Sequence, residues 1–393
     1  MSFSRRIPAD LHANALTAAL AEARASGRSY LDLTESNPTR AALQYPDDLL
    51  APLADPRGLR YQPDALGARV ARQAVAADFA RRGTHVSPEQ LMLTVSTSDA
   101  YSVLFKLLCD PGDEVLVPQP SYPLFEHLTR LDSVTVVPYR LEYHGRWSID
   151  VASVEGALTD RTRAVLLVNP NNPTGSFVSA EEIDRLASLC ASRDLAIISD
   201  EVFADYRFAA SSGCTGAPLV GRADVLGFTM GGLSKSVGLP QVKLAWTAVS
   251  GPEGQVAAAM SRLDLICDTY LSVSTPVQLA VPELLERGAS IQRQIQQRVE
   301  ANYAHGARLV AEWPSCSLLH ADGGWSAVIR VPRLRSEEEL VLALLTEHGV
   351  LVHPGYFFDF AEESYVIVSL LVSESVFIDG VTRVLRACGS ETR

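Results

Sequence analysis

The stretch AVLLVNPNNPTGSFVSAEEIDRLASLCASRDLAIISD, residues 164–200, contains the pattern that decides the fold. Its two short apolar runs, at 164–169 and 195–200, have the length and composition of buried strands. Residues 178–194 between them predict a helix, because Ser179 and Glu182 form a capping-box pair and Ile183, Leu186 and Leu189 recur on one side. Strand, helix and strand in succession indicate two parallel strands joined by a helical crossover.

The same alternation extends along the chain on both sides of this stretch. Further apolar runs at 91–96, 113–118, 134–139 and 225–230 predict strands of the same sheet. Near residue 285 the sequence pattern changes. From there it predicts a long polar helix at 287–313, a strand at 326–332, a helix at 337–349 and two more strand-like runs. We therefore predict an α/β fold with a mostly parallel central sheet sandwiched by helices, in a large domain at 45–285. Residues 1–44 and 286–393 are expected to form a smaller α+β domain.

Composition and charge exclude several classes of protein. A net charge of −12 argues against a nucleic-acid partner, because phosphate binding needs a basic surface. We found no apolar run long enough for a membrane helix and no signal peptide, so a cytoplasmic protein without a membrane partner is expected. The six cysteines have neither metal-ligand nor disulfide spacing, which predicts free thiols and no metal site; they are Cys109, Cys190, Cys214, Cys267, Cys316 and Cys388.

Polar residues follow four of the predicted strands, at the carboxyl edge where parallel sheets bind ligands. Ser96, Thr97 and Ser98 begin a helical pattern, so they either cap that helix or hold an anion at its N-terminus. Residues 169–175, NPNNPTG, form either an ordinary turn or a rigid binding loop. Asp200 and Lys235 follow neighbouring strands, and they form either a structural salt bridge or a catalytic pair.

The ordered motifs of the chain resemble those of one enzyme family. They are NPTG at 172–175, D-x-x-aromatic at 200–203, S-K at 234–235 and G-x-P-x-x-K at 238–243, with PGDEVLVPQPSYP at 111–123 and HPGYFF at 353–358. Together they resemble the class I and II aminotransferases, which are pyridoxal-phosphate enzymes of fold type I. The resemblance covers nearly the whole chain.

The resemblance implies a role for each matching residue. Lys235 would form the Schiff base with pyridoxal 5′-phosphate and move the substrate proton, and Asp200 would pair with the pyridine nitrogen. Tyr122 would stack on the ring, and Asn172 would donate to its phenolic oxygen. Tyr61 would reach the phosphate from a partner subunit, which implies a homodimer with shared active sites. The remaining phosphate-binding residues would be Ser96, Thr97, Ser98, Ser234 and Lys243.

Three positions near the cofactor depart from the family pattern. Phe203 stands where a tyrosine usually donates to the phenolic oxygen, and Tyr206 is the alternative donor that the sequence offers. Gly232 stands where a phosphate-binding serine is common. Lys243 stands where an arginine is common, so that a point charge replaces a bidentate fork.

The largest departure concerns the substrate. Ile367 stands where the family has an arginine that binds the substrate carboxylate, and Ser36 stands where a glycine is usual. The resemblance places Ser36, Asn37 and Ile367 at the substrate. Either another basic residue replaces the arginine, or the substrate has no carboxylate there, or the alignment at Ile367 is out of register. The candidate replacements are Arg5, Arg6, Arg40 and His353.

Three functions are compatible with these residues. The first is an aminotransferase that moves an amino group from a small-molecule amino donor to a carbonyl acceptor. The second is a lyase, decarboxylase or carbon–carbon bond-forming enzyme of secondary metabolism with the same cofactor and fold. The third is a non-catalytic regulatory module, for which the chain offers no DNA-binding segment.

Overall fold

The computed structural model describes residues 3–8, 10–209, 218–362 and 364–389, so Cys214 lies outside the described residues. The strands are β1 Leu31–Asp32, β2 Leu91–Thr94, β3 Glu114–Gln119, β4 Thr135–Tyr143, β5 Trp147–Ile149, β6 Thr162–Val168, β7 Ala196–Asp200, β8 Gly227–Gly232, β9 Ala245–Ser250, β10 Ser317–Leu318, β11 Ser326–Arg330, β12 Val350–Leu351, β13 His353–Pro354 and β14 Tyr365–Ser369. The helices are α1 Ala15–Ala25, α2 Arg69–Arg81, α3 Thr97–Leu108, α4 Phe125–Leu131, α5 Val151–Ala157, α6 Ala180–Ser192, α7 Leu233–Ser236, α8 Glu253–Tyr270, α9 Thr275–Ala311, α10 Glu337–Thr346 and α11 Glu374–Gly389.

The large sheet has the strand order β2-β9-β8-β7-β6-β3-β4-β5. Strands β3, β4, β6, β7 and β8 pair in parallel, whereas β9 and β5 run antiparallel to their neighbours. Successive residues of β7 face opposite sides: Ile198 packs with α3, α4 and α8, and Ile197 packs with α5 and α6. The strand is therefore apolar on both faces, and the predicted mostly parallel sheet between helices is confirmed.

The stretch quoted first folds as β6, α6 and β7. The predicted capping box is present: the Ser179 hydroxyl accepts from the N–H of Glu182 at 3.2 Å, and the Glu182 carboxylate accepts from the N–H of Ser179 at 2.7 Å. Ile183 and Leu186 are buried against the sheet, as their spacing predicts. The crossover thus places the carboxyl ends of β6 and β7 at the same edge.

The C-terminal unit is built on an antiparallel sheet with the order β10-β11-β14-β13. The N-terminal segment joins it, because β1 pairs in parallel with β12 and α1 packs against α10. These contacts agree with the α+β character that the sequence predicts for this part of the chain.

The predicted start of the long helix at residue 287 is wrong, because α9 begins at Thr275. Ser274 and Pro276 are typical residues for a helix start, but Pro282 indicates an interruption, and the helix continues through it. Residue 285 lies inside α9, and the division of the chain into domains at that position stays a prediction.

Candidate active site

A cavity of about 310 Å³ lies between the carboxyl edge of the large sheet and the antiparallel C-terminal sheet. The large sheet contributes Asp200, at the end of β7, and Gly232, at the end of β8. His353 from β13 and Ile367 from β14 line the opposite side, and Ser36 reaches it from the N-terminal segment. The cavity is thus where parallel sheets of this kind bind ligands.

The structure brings most of the predicted site residues to this cavity. Those that line it are Ser36, Ser96, Thr97, Tyr122, Asn172, Asp200, Ser234, Lys235 and Ile367. Those that do not line it within one protomer are Asn37, Tyr61, Ser98 and Lys243.

The four residues outside the lining have identifiable surroundings. The side chain of Asn37 accepts a hydrogen bond from the N–H of Thr39 at 3.0 Å and caps a short helical turn. Ser98 and Lys243 are exposed, and the tyrosine at position 61 is 77% exposed. The predicted role of Asn37 at the substrate therefore stays a prediction, as do those of Ser98, Lys243 and Tyr61 at the cofactor.

Lys235 lies in the short helix α7, directly after β8, so its side chain begins at the edge of the sheet. Its Nζ lies 4.8 Å from the centroid of the Trp325 ring and 5.5 Å from that of Phe203. Burial lowers the pKa of this amine to about 8, and the negative charge of Asp200 opposes the shift. A pKa near 8 leaves a neutral, nucleophilic fraction of the amine at neutral pH.

Asp200 is buried at the end of β7, where it is 6% exposed. Its carboxylate accepts a hydrogen bond from the hydroxyl of Tyr101 at 3.0 Å and another from the N–H of Val202 at 3.2 Å. Burial raises the pKa of Asp200 to about 6, while the two hydrogen bonds and the positive charge of Lys235 act in the opposite direction. A cationic group brought next to this carboxylate would therefore be strongly favoured.

The N-terminus of α3 forms a second polar end of the cavity. The Ser96 hydroxyl accepts from the N–H of Asp99 at 3.1 Å, so the helix-capping interpretation of this serine is confirmed. Thr97 is the first residue of α3, and Ser234 lines the same cavity from α7. Hydroxyl groups beside the positive end of a helix dipole are suited to bind an anion.

Asn172 lies in the turn 169–175, which is fixed by contacts with the C-terminal unit. The Gly175 carbonyl accepts from the N–H groups of Asp322 and Gly323, each at 3.0 Å. Gly175 has a φ of 69°, and a Cβ at this position would lie 2.4 Å from the carbonyl oxygen of Gly323. The side-chain oxygen of Asn172 in turn accepts from the Ser326 hydroxyl at 3.4 Å. The contacts fix the position of this turn at the cavity, and its role in binding stays a prediction.

The aromatic residues around Lys235 include two that the sequence singled out. Phe203 has no hydroxyl group, and its ring meets that of Trp325 edge to face with the centroids 5.2 Å apart. The alternative donor, Tyr206, is fully buried, and its hydroxyl donates to the backbone carbonyl of Lys235. Tyr206 does not line the cavity and cannot donate into it in this arrangement.

The end of the cavity around Ile367 combines apolar side chains with neutral hydroxyl groups. Ile367 is 1% exposed and lies opposite Val328 on β11 and His353 on β13. Arg5, Arg6 and Arg40, which the sequence offered as replacements for a carboxylate-binding arginine, do not line the cavity. Only His353 of those candidates does, and burial lowers the pKa of its imidazole.

The sequence did not single out several residues of this site, among them Tyr101, which contacts Asp200, and Trp325. Tyr101 fits the apolar pattern of α3, and a tyrosine that only packs in the core would fit it equally well. The local sequence therefore gives no sign of the contact between Tyr101 and Asp200. Trp325 follows Gly323 and Gly324, and such a glycine pair indicates that another segment of backbone lies close by. In the structure this segment is at Tyr206, because a Cβ on Gly323 would lie 2.3 Å from the carbonyl oxygen of Tyr206.

The described residues provide neither a metal-binding cluster nor a membrane-spanning helix. The described part of the chain contains no group of three or more His, Cys, Asp or Glu side chains that could hold a metal ion. Among its helices, none combines the length and hydropathy required to cross a membrane.

Known proteins of similar sequence are aminotransferases. A sequence model of the family Aminotransferase class I and II matches residues 28–374. The alanine aminotransferase of Mycobacterium tuberculosis is 28% identical over 356 residues, covering 85% of this chain and 80% of the relative. The glutamate-pyruvate aminotransferase AlaA of Escherichia coli is 26% identical over 342 residues, covering 85% and 84%. The arginine–pyruvate transaminase AruH of Pseudomonas aeruginosa is 28% identical over 354 residues, covering 88% and 85%.

Solved structures show the same fold. An alanine aminotransferase from Pyrococcus furiosus has a TM-score of 0.86 at 23% identity, covering 97% of this chain and 98% of the other. An aminotransferase from Escherichia coli has the same TM-score at 22% identity and covers 98% of both chains. Since the family model matches most of the sequence, the chain belongs to the class I and II aminotransferase family and is a transferase of the aminotransferase type.

Proposed function

We propose that this aminotransferase binds pyridoxal 5′-phosphate in the cavity at Lys235 and moves an amino group from an amino donor to a carbonyl acceptor. The observation that carries the proposal is the meeting of three groups in one cavity: the Lys235 amine, the buried Asp200 carboxylate and the N-terminus of α3. These groups match the three reactive parts of the cofactor, which are an aldehyde, a basic ring nitrogen and a phosphate.

The fit of the cofactor rests on the chemistry of the lining. Ser96, Thr97 and Ser234 would bind the phosphate through hydroxyl groups and the helix N-terminus. Tyr122 would lie against the ring, and Asn172 would donate to its phenolic oxygen. The contributions that the resemblance assigns to Ser98 and Lys243 remain part of the proposal, although both residues are exposed in one protomer.

Each reactive residue has a physical reason for its proposed role. When bound, the cofactor supplies an electron-withdrawing ring conjugated with the reacting carbon. Asp200 would keep the ring nitrogen protonated, because the carboxylate then gains the cationic partner that offsets the cost of its burial. Lys235 would act as nucleophile and afterwards as the base and acid that moves the substrate proton, which its lowered pKa of about 8 favours.

A second copy of the chain is part of the proposal. Tyr61 is 77% exposed and lies outside the cavity of its own protomer, which supports the predicted role of this tyrosine at the phosphate of a partner subunit. We further propose a homodimer with shared active sites and a cytoplasmic location, the latter supported by the free thiols of Cys109, Cys190, Cys267 and Cys316.

The experiment that tests the proposed reaction is a single-turnover assay of the holoenzyme with a panel of amino donors. Aminotransfer predicts that the amino form of the cofactor accumulates, that one equivalent of carbonyl product forms, and that no ammonia or carbon dioxide is released. Release of ammonia or carbon dioxide in proportion to product would instead support the lyase or decarboxylase alternative. The relatives described above are all named as aminotransferases or transaminases, which gives that alternative no support.

A further inference from the structure

The charges around the cavity restrict the substrate that the proposed aminotransferase accepts. Among the described residues that line the cavity, the basic side chains are Lys235 and His353. In the proposed function the Lys235 amine reacts with the cofactor, so it does not serve as the cation for a substrate carboxylate. The His353 ring packs against Phe357 and Phe358, with centroids 5.9 and 5.8 Å away, and its burial favours the neutral imidazole. The lining that one protomer supplies thus offers no permanent cation to a substrate carboxylate.

The wall of the cavity beside His353 is formed by tightly packed apolar side chains. Ile367 belongs to a buried cluster with Trp147, Leu319, Val328 and Phe358. A carboxylate placed against this wall would lose its hydration without gaining an ion pair, and such a loss strongly opposes binding. An aliphatic or aromatic group placed there would instead gain from the burial of apolar surface.

Two of the arginines that the sequence offers as replacements, Arg40 and Arg6, are engaged elsewhere. Arg40 pairs with Glu35 at 3.2 Å, and 73% of its side chain is exposed. Arg6 donates to the backbone carbonyl of Leu131 at 3.1 Å. Neither lines the cavity.

The polar groups at this end are neutral and partly satisfied. The Ser369 hydroxyl donates to the carbonyl of Glu35 at 2.6 Å, and the Ser326 hydroxyl donates to Asn172 at 3.4 Å. Ser36 adds a further hydroxyl at the exposed side of the cavity. Hydroxyl groups of this kind can form hydrogen bonds with a neutral substrate, but they do not neutralise the charge of a carboxylate as a cation would.

We infer that the preferred amino donor is a primary amine that carries an aliphatic or aromatic group and has no carboxylate on the amine-bearing carbon. This inference rests on the proposed function and adds the substrate class. In the overall reaction, the C–N bond and one C–H bond of the donor's amine-bearing carbon are replaced by C=O, while the C=O of an aldehyde or ketone acceptor becomes C–N and C–H. The donor is oxidised by two electrons and the acceptor is reduced by two, so no other oxidant is needed. The relatives described above are named for amino acids, and this chain departs from them in donor class.

Matched donors that differ only in the carboxylate test the inference. Single-turnover rates of the holoenzyme are measured with 3-methylbutylamine against leucine, 2-phenylethylamine against phenylalanine, and tryptamine against tryptophan. We expect the amine of at least one pair to exceed its amino acid by about tenfold or more in the apparent second-order rate constant, the ratio that corresponds to about 1.4 kcal/mol. Calorimetric binding of 3-phenylpropionate and of its neutral amide to the holoenzyme gives a second readout, in which the amide is expected to bind more tightly.

A substitution at Ile367 provides the reverse test. Ile367→Arg adds a fork that can pair with a carboxylate and is expected to shift each donor ratio toward the amino acid by about tenfold. Ile367→Met is the matched control, and it should keep the wild-type order of preference because it adds length without charge. Thermal unfolding of both variants establishes that they are folded, and the wild-type donor ratios decide the question if the arginine variant does not fold.

The outcomes separate the inference from the function on which it rests. Amino acids that react as fast as their matched amines, or faster, overturn the inference and leave the aminotransferase proposal intact. If neither amines nor amino acids convert the cofactor to its amino form, in a protein that carries the cofactor on Lys235, the inference and the proposed reaction are both overturned.

Discussion

The contact between Tyr101 and Asp200 can be tested by the substitution Tyr101→Phe, which removes one hydroxyl and leaves the ring. Both residues are buried, at 1% and 6% exposure, and the hydroxyl donates to the carboxylate at 3.0 Å. The ring itself packs edge to face against Phe125, with centroids 5.6 Å apart, and that packing is kept in the variant. The substitution therefore isolates the hydrogen bond.

The expected magnitude follows from the charge state of Asp200. A hydrogen bond to a charged group contributes about 1.5–3 kcal/mol, which corresponds to between about one and two pKa units. The pKa of Asp200, already raised by burial to about 6, should therefore rise to about 7–8 in the variant. An acid with a raised pKa binds its proton in the folded state, so folding stability falls as pH rises from the unfolded pKa of 3.8 to the folded pKa. In the variant this fall continues to pH 7 and above.

Urea unfolding of the cofactor-free protein at pH 5 and pH 7, at one protein concentration, measures the effect. The loss of unfolding free energy in Tyr101→Phe should be about 1 kcal/mol larger at pH 7 than at pH 5, because only at pH 7 is Asp200 ionised in the wild type and mostly protonated in the variant. Tyr139→Phe is the matched control. Tyr139 is equally buried, but its hydroxyl donates to the backbone carbonyl of Leu166 at 2.8 Å, so its loss should not depend on pH. Equal losses at both pH values in Tyr101→Phe would refute the assignment of this hydrogen bond to the ionised carboxylate.

Three further substitutions test separate parts of the site. Phe203→Tyr places a hydroxyl near the Lys235 amine and is expected to shift the pH at which the visible absorbance of the bound cofactor changes; an unchanged spectral titration contradicts this. Ser96→Ala removes the helix cap and a predicted phosphate ligand, so it should lower unfolding free energy by about 0.5–2 kcal/mol and weaken cofactor binding measured by dialysis. Gly175→Ala places a Cβ 2.4 Å from the Gly323 carbonyl at a positive φ, so it should destabilise the protein by more than about 1 kcal/mol in thermal unfolding; a variant as stable as wild type would show that the turn yields.

Much of the fold was predictable because the strands of the large sheet are apolar on both faces and end at recognisable polar residues. Asp200 and Lys235 follow such runs, and the topology of parallel strands brings them to one edge. The helix α6 was predictable from Ser179 and Glu182, because a capping box is a local interaction.

The rest depends on contacts between distant parts of the chain. Tyr101 has the same local pattern as a core tyrosine, and only the packing of α3 on the large sheet places its hydroxyl on Asp200. The early start of α9 was missed because Pro282 opposes a helix locally, while tertiary packing holds the helix through it. The motifs that contain Lys243 and Ser98 likewise did not predict that both side chains are exposed within one protomer.

The central claim is that Lys235 holds the cofactor covalently, and borohydride reduction followed by peptide mass spectrometry tests it most directly. The holoenzyme should yield one modified lysine, in the peptide that contains Lys235, with the mass of a reduced pyridoxal phosphate attached. The exposed Lys106→Ala variant should give the same result, whereas Lys235→Ala should give no modified peptide. Modification of another lysine in the wild type, or an unmodified Lys235 in a protein that retains the cofactor through reduction, would contradict the account.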